Sequence, residues 1–288
     1  INAVTGDFTW DCPGPRQGEY NIAILIHEWR RFGNQTYEVG QVLRDMQITV
    51  GSCNNNPPVI QPIPNYCVAA GTNINFQISA SDPDNDQITL SATGSPFQLV
   101  NSPAQFPQAV GSGVVFSDFN WSTLCSHVKV SPYYVFFKAK DNGTPTNLVD
   151  YKTVTIKIVG PKPLNVNAQP QGTRMIVTWN ASACNNVTGY KIYRKTGCSN
   201  LTASECETGM PSAWGYQLIG NTSGWSSTTY IDNNGGAGLV PGISYSYRVV
   251  ANFPDGADSY VSDEDCAQLV RDIGIITHVS VLKTDASN

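Results

Sequence analysis

The stretch "SDPDND", residues 81–86, places Asp82, Asp84 and Asp86 at alternate positions in an otherwise weakly charged chain. Carboxylates so spaced have three chemical uses. They can offer hard oxygens to a divalent cation, act as paired acid and base in hydrolysis, or close a turn by bonding their own backbone two residues on. Glycoside hydrolysis needs two acids roughly 5 to 10 Å apart across a cleft, whereas Asp82 and Asp84 share one short turn segment. The three histidines, His27, His127 and His278, lie in or beside predicted strands, and none accompanies a Ser or Cys in a nucleophile motif. No catalytic residue is assigned, and the chain is expected to be non-enzymatic.

Two other residue types carry possible chemistry. Trp10, Trp29, Trp121, Trp214 and Trp225 could stack on sugar rings if exposed. Trp10 and Trp121 recur in equivalent "DFTW" and "DFNW" contexts, which points to core packing; Trp29, Trp214 and Trp225 flank Gly-rich or polar loops and are the candidate ligand-contact aromatics. The eight cysteines include no CxxC pair and no adjacent His cluster, so disulfides in an oxidising, extracellular setting fit better than zinc. Cys67 and Cys125 fall in one predicted domain and could tie its first strand to the loop after Trp121. Cys184, Cys198, Cys206 and Cys266 allow three pairings, of which Cys198 with Cys206 would close a loop between strands. Cys12 and Cys53 could pair with each other or with sequence outside the chain.

Composition narrows the class. Only 14% of the 288 residues are charged, well below the roughly 25% of an average soluble domain. Gly, Pro, Asn, Ser and Thr separate short apolar runs instead, as in extracellular all-β proteins. The formal charge of −5 and the lack of a Lys/Arg stripe exclude nucleic acid as a partner. No apolar run reaches the roughly 20 residues of a membrane span.

These residues must be positioned by strands. "YNIAILIHEW", "TNINFQISAS", "YYVFFKAKD", "RMIVTWN" and "YSYRVVANF" are β-branched and aromatic runs bounded by Gly, Pro, Asn and Asp. "QVLRDMQITV" reads as a strand too. The Pro-rich stretches "GSCNNNPPVIQPIP" and "VGPKPLN" end strands and stiffen joints. A repeat links the first two pieces: Asp-Phe-x-Trp, a Cys, a loop, a Tyr-led strand, an acidic residue and a closing strand occur in each. The expected fold is all-β, a tandem of immunoglobulin-like β-sandwiches. Residues 1–52 read as the C-terminal half of one module, 53–160 as a complete one, 161–271 as a third, and 272–288 as the start of a further module.

Residues 53–160 resemble cadherin-like repeats through "PPVI", "ISASDPDNDQITLSA" and "VFFKAKDNGTPTNLVDYKTVTIKIV". That resemblance implies calcium at the junction with the preceding module, held by Asp82, Asp84 and Asp141 with Asn55 from the linker; Asp86 is expected to serve the turn alone. Residues 161–271 resemble a fibronectin type III domain through Trp179 in "IVTWN", Tyr190 in "GYKIYR" and the tyrosine-corner run "LVPGISYSY" ending at Tyr245. The combination of modules is similar to large Bacteroidota surface proteins associated with gliding motility and type IX secretion. It implies a spacer and adhesion or protein-interaction role at the cell surface. Its partners would be other modules of the same chain, surface or secretion-system proteins, and glycans; the alternative is a carbohydrate-binding or accessory region of a secreted adhesin or polysaccharide-degrading enzyme.

Overall fold

The computed structural model describes residues 6, 8, 10, 17–33, 35–51, 54–204 and 206–270. Its regular structure is β throughout, apart from four single turns of 3-10 helix. A long hairpin, β1 (Gly18–Phe32) and β2 (Gln35–Val50), comes first.

The next strands form a sandwich. They are β3 (Val59–Ile60), β4 (Tyr66–Ala69), β5 (Asn73–Ser81), β6 (Gln87–Gly94), β7 (Ala109–Ser112), β8 (Val114–Ser122), β9 (Tyr133–Lys140) and β10 (Val149–Val159). One sheet has the order β3-β5-β8 and the facing sheet β4-β10-β9-β6-β7. Strict alternation explains why each strand commits one face to the core: Phe119 and Trp121 of β8 and Tyr133, Val135, Phe137 and Ala139 of β9 are buried, while their neighbours face out.

A further sandwich follows, from β11 (Asn167–Gln171), β12 (Arg174–Thr178), β13 (Gly189–Thr196), β14 (Gln217–Ser223), β15 (Thr229–Asp232), β16 (Ser244–Asn252) and β17 (Asp265–Gln268). Its sheets, β11-β12-β15 and β14-β13-β16-β17, give seven antiparallel strands in the fibronectin type III arrangement. Trp179 is buried against Tyr190 with ring centroids 5.4 Å apart, and the Val240 amide donates to the Tyr245 hydroxyl at 3.1 Å, closing the tyrosine corner.

The hairpin repeats part of the first sandwich in three dimensions. Tyr20 lies opposite Ile48 as Tyr133 lies opposite Ile156, so that Ile22, Ile24 and Ile26 take the places of Val135, Phe137 and Ala139. Trp10 meets Tyr20 edge-on at 5.0 Å, as Trp121 meets Tyr133 at 4.9 Å. The surroundings differ: Trp121 is 1% exposed and Trp10 36%, and Ile26 is half exposed. Among the described residues the hairpin pairs with no further strand.

The two sandwiches are joined more tightly than Pro-rich sequence alone implies. Gly160 forms a parallel bridge with Ser259 and accepts from the Tyr260 amide at 3.0 Å. A Cβ on Gly160 would lie 2.2 Å from the Phe253 ring, so only glycine permits this approach. The Val130 amide donates to Asp255 at 2.7 Å, and Lys162 pairs with Asp263 at 2.7 Å.

Disulfides complete the joint and correct the pairings expected within each domain. Cys67 bonds Cys206 and Cys125 bonds Cys184, both across the two sandwiches, while Cys198 bonds Cys266 within the second of them. Neither Cys67–Cys125 nor Cys198–Cys206 forms. The reason is position: Cys67 on β4 and Cys125 in the turn after β8 both stand at the pole that meets the next sandwich, nearer its cysteines than each other. Cys12, Cys53 and residues 272–288 lie outside the described residues.

Candidate carboxylate site at the linker

At the opposite pole of the first sandwich, the end of β5, the start of β6, the end of β9 and the linker of residues 54–58 converge. Asp82 terminates β5 and is 5% exposed. Its Oδ1 accepts from the amides of Asp84 at 2.9 Å and Asp86 at 3.2 Å, the side-chain turn that "PDND" favours. Asn85, at φ 63°, turns the chain back so that Asp86 leads into β6 on the same side as Asp82. Asp84 accepts from the Asn56 amide at 2.6 Å and from Asn56 Nδ2 at 3.0 and 3.1 Å.

Asp141, 2% exposed at the end of β9, faces the same linker. Its Oδ1 accepts from the Gly143 and Leu148 amides at 3.2 and 2.6 Å, and its Oδ2 from Asn55 Nδ2 at 2.8 Å. Asn55 also donates to the Thr146 carbonyl at 3.2 Å. It packs so closely over Gly143 that a Cβ there would fall 2.1 Å from Nδ2. The Gln87 amide donates to Asn142 Oδ1 at 2.9 Å, fastening β6 to this loop.

Three carboxylates, Asp82, Asp84 and Asp86, close on one another, and Asp141 stands beside them on the same linker. Asp82, Asp84 and Asp86 can each bring an oxygen within 4.8 Å of the other two. Asp86, expected outside the site, belongs to it: burial first, then the charges of Asp82, Asp141 and Asp84, push its carboxyl above the ordinary range. Among the described residues none of the four pairs with a Lys or Arg. Asp82 Oδ2 is buried without any hydrogen-bond partner. Leaving a buried carboxylate oxygen unpartnered is costly, and a hard cation beside four acids would remove that cost. The donor set, all oxygen, suits calcium.

The remaining candidates do different work. Glu28, the repeat counterpart of Asp141, is exposed and pairs with Arg30 at 2.9 Å. His127 is buried against Trp121, with Nδ1 accepting from the Leu124 amide and Nε2 donating to the Asn101 carbonyl, both at 3.0 Å. Burial lowers its pKa, so it is a neutral core residue with both nitrogens engaged. Trp29 stands 57% exposed on β1. Trp214 lies under the Arg248 guanidinium at 4.8 Å. Trp225 is 41% exposed, but its Nε1 donates to the Ser182 carbonyl at 2.7 Å and its carbonyl accepts from the Tyr190 hydroxyl at 2.9 Å. Trp214 and Trp225 flank opposite ends of the seven-residue β14, roughly 20 Å apart at strand rise, and so share no stacking platform.

No protein-family model and no curated protein matches the chain. Among solved structures it is similar to a segment of titin domains, at 14% identity over 88% of this chain and 94% of that one with a TM-score of 0.30. It is similar also to the FN1–FN3 domains of chicken CNTN1, at 14% identity over 80% and 72% with a TM-score of 0.30. A two-domain fibronectin type III segment of chicken tenascin gives 11% identity over 75% and 99% with a TM-score of 0.33. The strand order above, rather than these likenesses, defines the fold. No helix among the described residues is long and apolar enough to cross a membrane.

Proposed function

We propose that the chain is a non-enzymatic spacer and interaction segment of an extracellular, surface-displayed protein, with its sandwiches held at fixed angles by covalent and ionic ties. The observation that carries this reading is the pair of disulfides between successive sandwiches. A flexible tether has no use for them, and they need an oxidising compartment. The sequence resemblance to gliding-associated Bacteroidota proteins supports export by a type IX system, with neighbouring modules, surface or secretion-system proteins and glycans as partners. Residues 1–52 stand in this proposal as the closing half of a module built like residues 53–160, residues 161–271 as the fibronectin-type module, and 272–288 as the start of another.

At the linker pole, Asp82, Asp84, Asp86 and Asp141 would hold calcium. The ion supplies positive charge that lets the four carboxylates share one site. Asn55 and Asn56, which now direct amide hydrogens at Asp141 and Asp84, connect that site to the preceding residues.

Non-reducing peptide mapping of the protein recovered from its native surface tests the reading. Peptides linked Cys67 to Cys206 and Cys125 to Cys184 are expected. Free thiols at those four positions would contradict it.

A further inference from the structure

We infer that the three disulfides form a covalent shunt through which tension entering at Cys67 leaves at Cys266 without loading the strands that lie between these two residues in sequence. Along the chain these residues are 199 positions apart, and they stand on β4, near the start of one sandwich, and β17, the last strand of the next. The bridges Cys67–Cys206 and Cys198–Cys266 span 139 and 68 positions, and their spans overlap only between residues 198 and 206. The shortest covalent route is therefore Cys67 to Cys206, back eight positions to Cys198, and across to Cys266.

The overlap is the decisive feature. Two bridges in series would leave the intervening chain free to extend, and one bridge nested in another would leave the outer flanks free. Overlapping bridges exchange nearly all of the intervening chain for one short loop. That loop is itself held to the β14-β13-β16-β17 sheet: Ser199 donates to Glu264, beside β17, through its amide at 2.7 Å and its hydroxyl at 2.8 Å, and Arg248 of β16 donates to the Leu201 carbonyl.

Cys125–Cys184 adds no shorter route while the other two bridges are intact, and becomes the reserve when Cys67–Cys206 is lost. Force then runs 58 positions to Cys125 and 14 from Cys184 to Cys198, or 72 in all. The segment is thus built as a strut that keeps its folded surfaces intact under load along the chain.

Single-molecule pulling of the full chain from its two ends tests this, in a Cys12→Ser/Cys53→Ser background so that only these three bridges contribute. At roughly 3.6 Å per residue, the oxidised interval from Cys67 to Cys266 should release about 30 Å, and about 700 Å in dithiothreitol. Cys206→Ser should release about 260 Å and Cys198→Ser, whose route runs 60 positions from Cys206 to Cys266, about 220 Å. Cys125→Ser should release no more than the oxidised parent. Release of the full length from the oxidised protein, a comparison that needs no bridge variant, would overturn the inference, as would a Cys125→Ser release equal to that of Cys206→Ser.

Discussion

Calcium added to the chelator-treated protein should raise its melting temperature by about 3 to 6 °C, and Asp82→Asn should abolish the rise. Extracellular calcium modules bind with Kd of about 10⁻⁴ to 10⁻³ M, so a concentration of about ten times Kd stabilises by roughly 1.4 kcal/mol. In a cooperative unit of about 200 residues each kcal/mol moves the midpoint by roughly 2 to 4 °C. Asn is the informative replacement. It preserves an Oδ1 acceptor for the Asp84 and Asp86 amides, so the turn survives, while the orphaned Oδ2 and its charge are lost. In chelator Asp82→Asn should therefore melt no lower than the parent, because it relieves repulsion by the neighbouring acids. Asp82→Ala and Asp141→Ala should also lose the calcium response but melt lower in chelator, having lost the backbone acceptors. Differential scanning fluorimetry of the parent with chelator and with calcium decides the matter: superimposed curves would remove the ion.

Removing both inter-sandwich bridges should cost more. With Ser at positions 67, 125, 184 and 206, one cooperative melting transition should become two, each at lower temperature. A cross-link closing 59 positions restricts the unfolded chain by roughly 4 kcal/mol, and one closing 139 by slightly more, before any strain is subtracted. What remains at the joint includes the Gly160–Ser259 bridge, the Val130–Asp255 and Asn186–Cys125 hydrogen bonds and the Lys162–Asp263 pair. The last is exposed, with the Asp263 side chain 82% accessible, and contributes little. Calorimetry showing the same single transition in parent and variant would mean that noncovalent packing, not the bridges, couples the sandwiches.

The strands were legible because their signal is local. Alternation in "VVFSDFNWS" fixes which side of β8 is core, and the same rule works for each strand that packs on one face. The Tyr-led repeat was legible for the same reason, and the strand register extends it to Arg44 and Lys152, which lie opposite Ile24 and Phe137. The acid site was half legible. "SDPDND" and "KAKDNG" mark the ends of β5 and β9, but the reversal at Asn85 that returns Asp86 to the cluster depends on a positive φ, which periodicity does not encode. Gly143 held a clue in "DNG": a glycine after the acid leaves room for Asn55.

Disulfide pairing was not legible. Proximity in sequence favoured bridges within a domain, whereas the observed pairs depend on how two sandwiches abut. That orientation follows from the close approach of Gly160 to Phe253 and from the Val130–Asp255 contact, neither of which leaves a repeating pattern.

The central claim is that residues 57–270 behave as one stiff body because two disulfides span its joint. Small-angle X-ray scattering of the oxidised protein and of the same sample in dithiothreitol tests it most directly. The expected result is a single narrow inter-sandwich distance when oxidised, and a broader, longer distribution once Cys67–Cys206 and Cys125–Cys184 are reduced. An oxidised profile already as broad as the reduced one would contradict it.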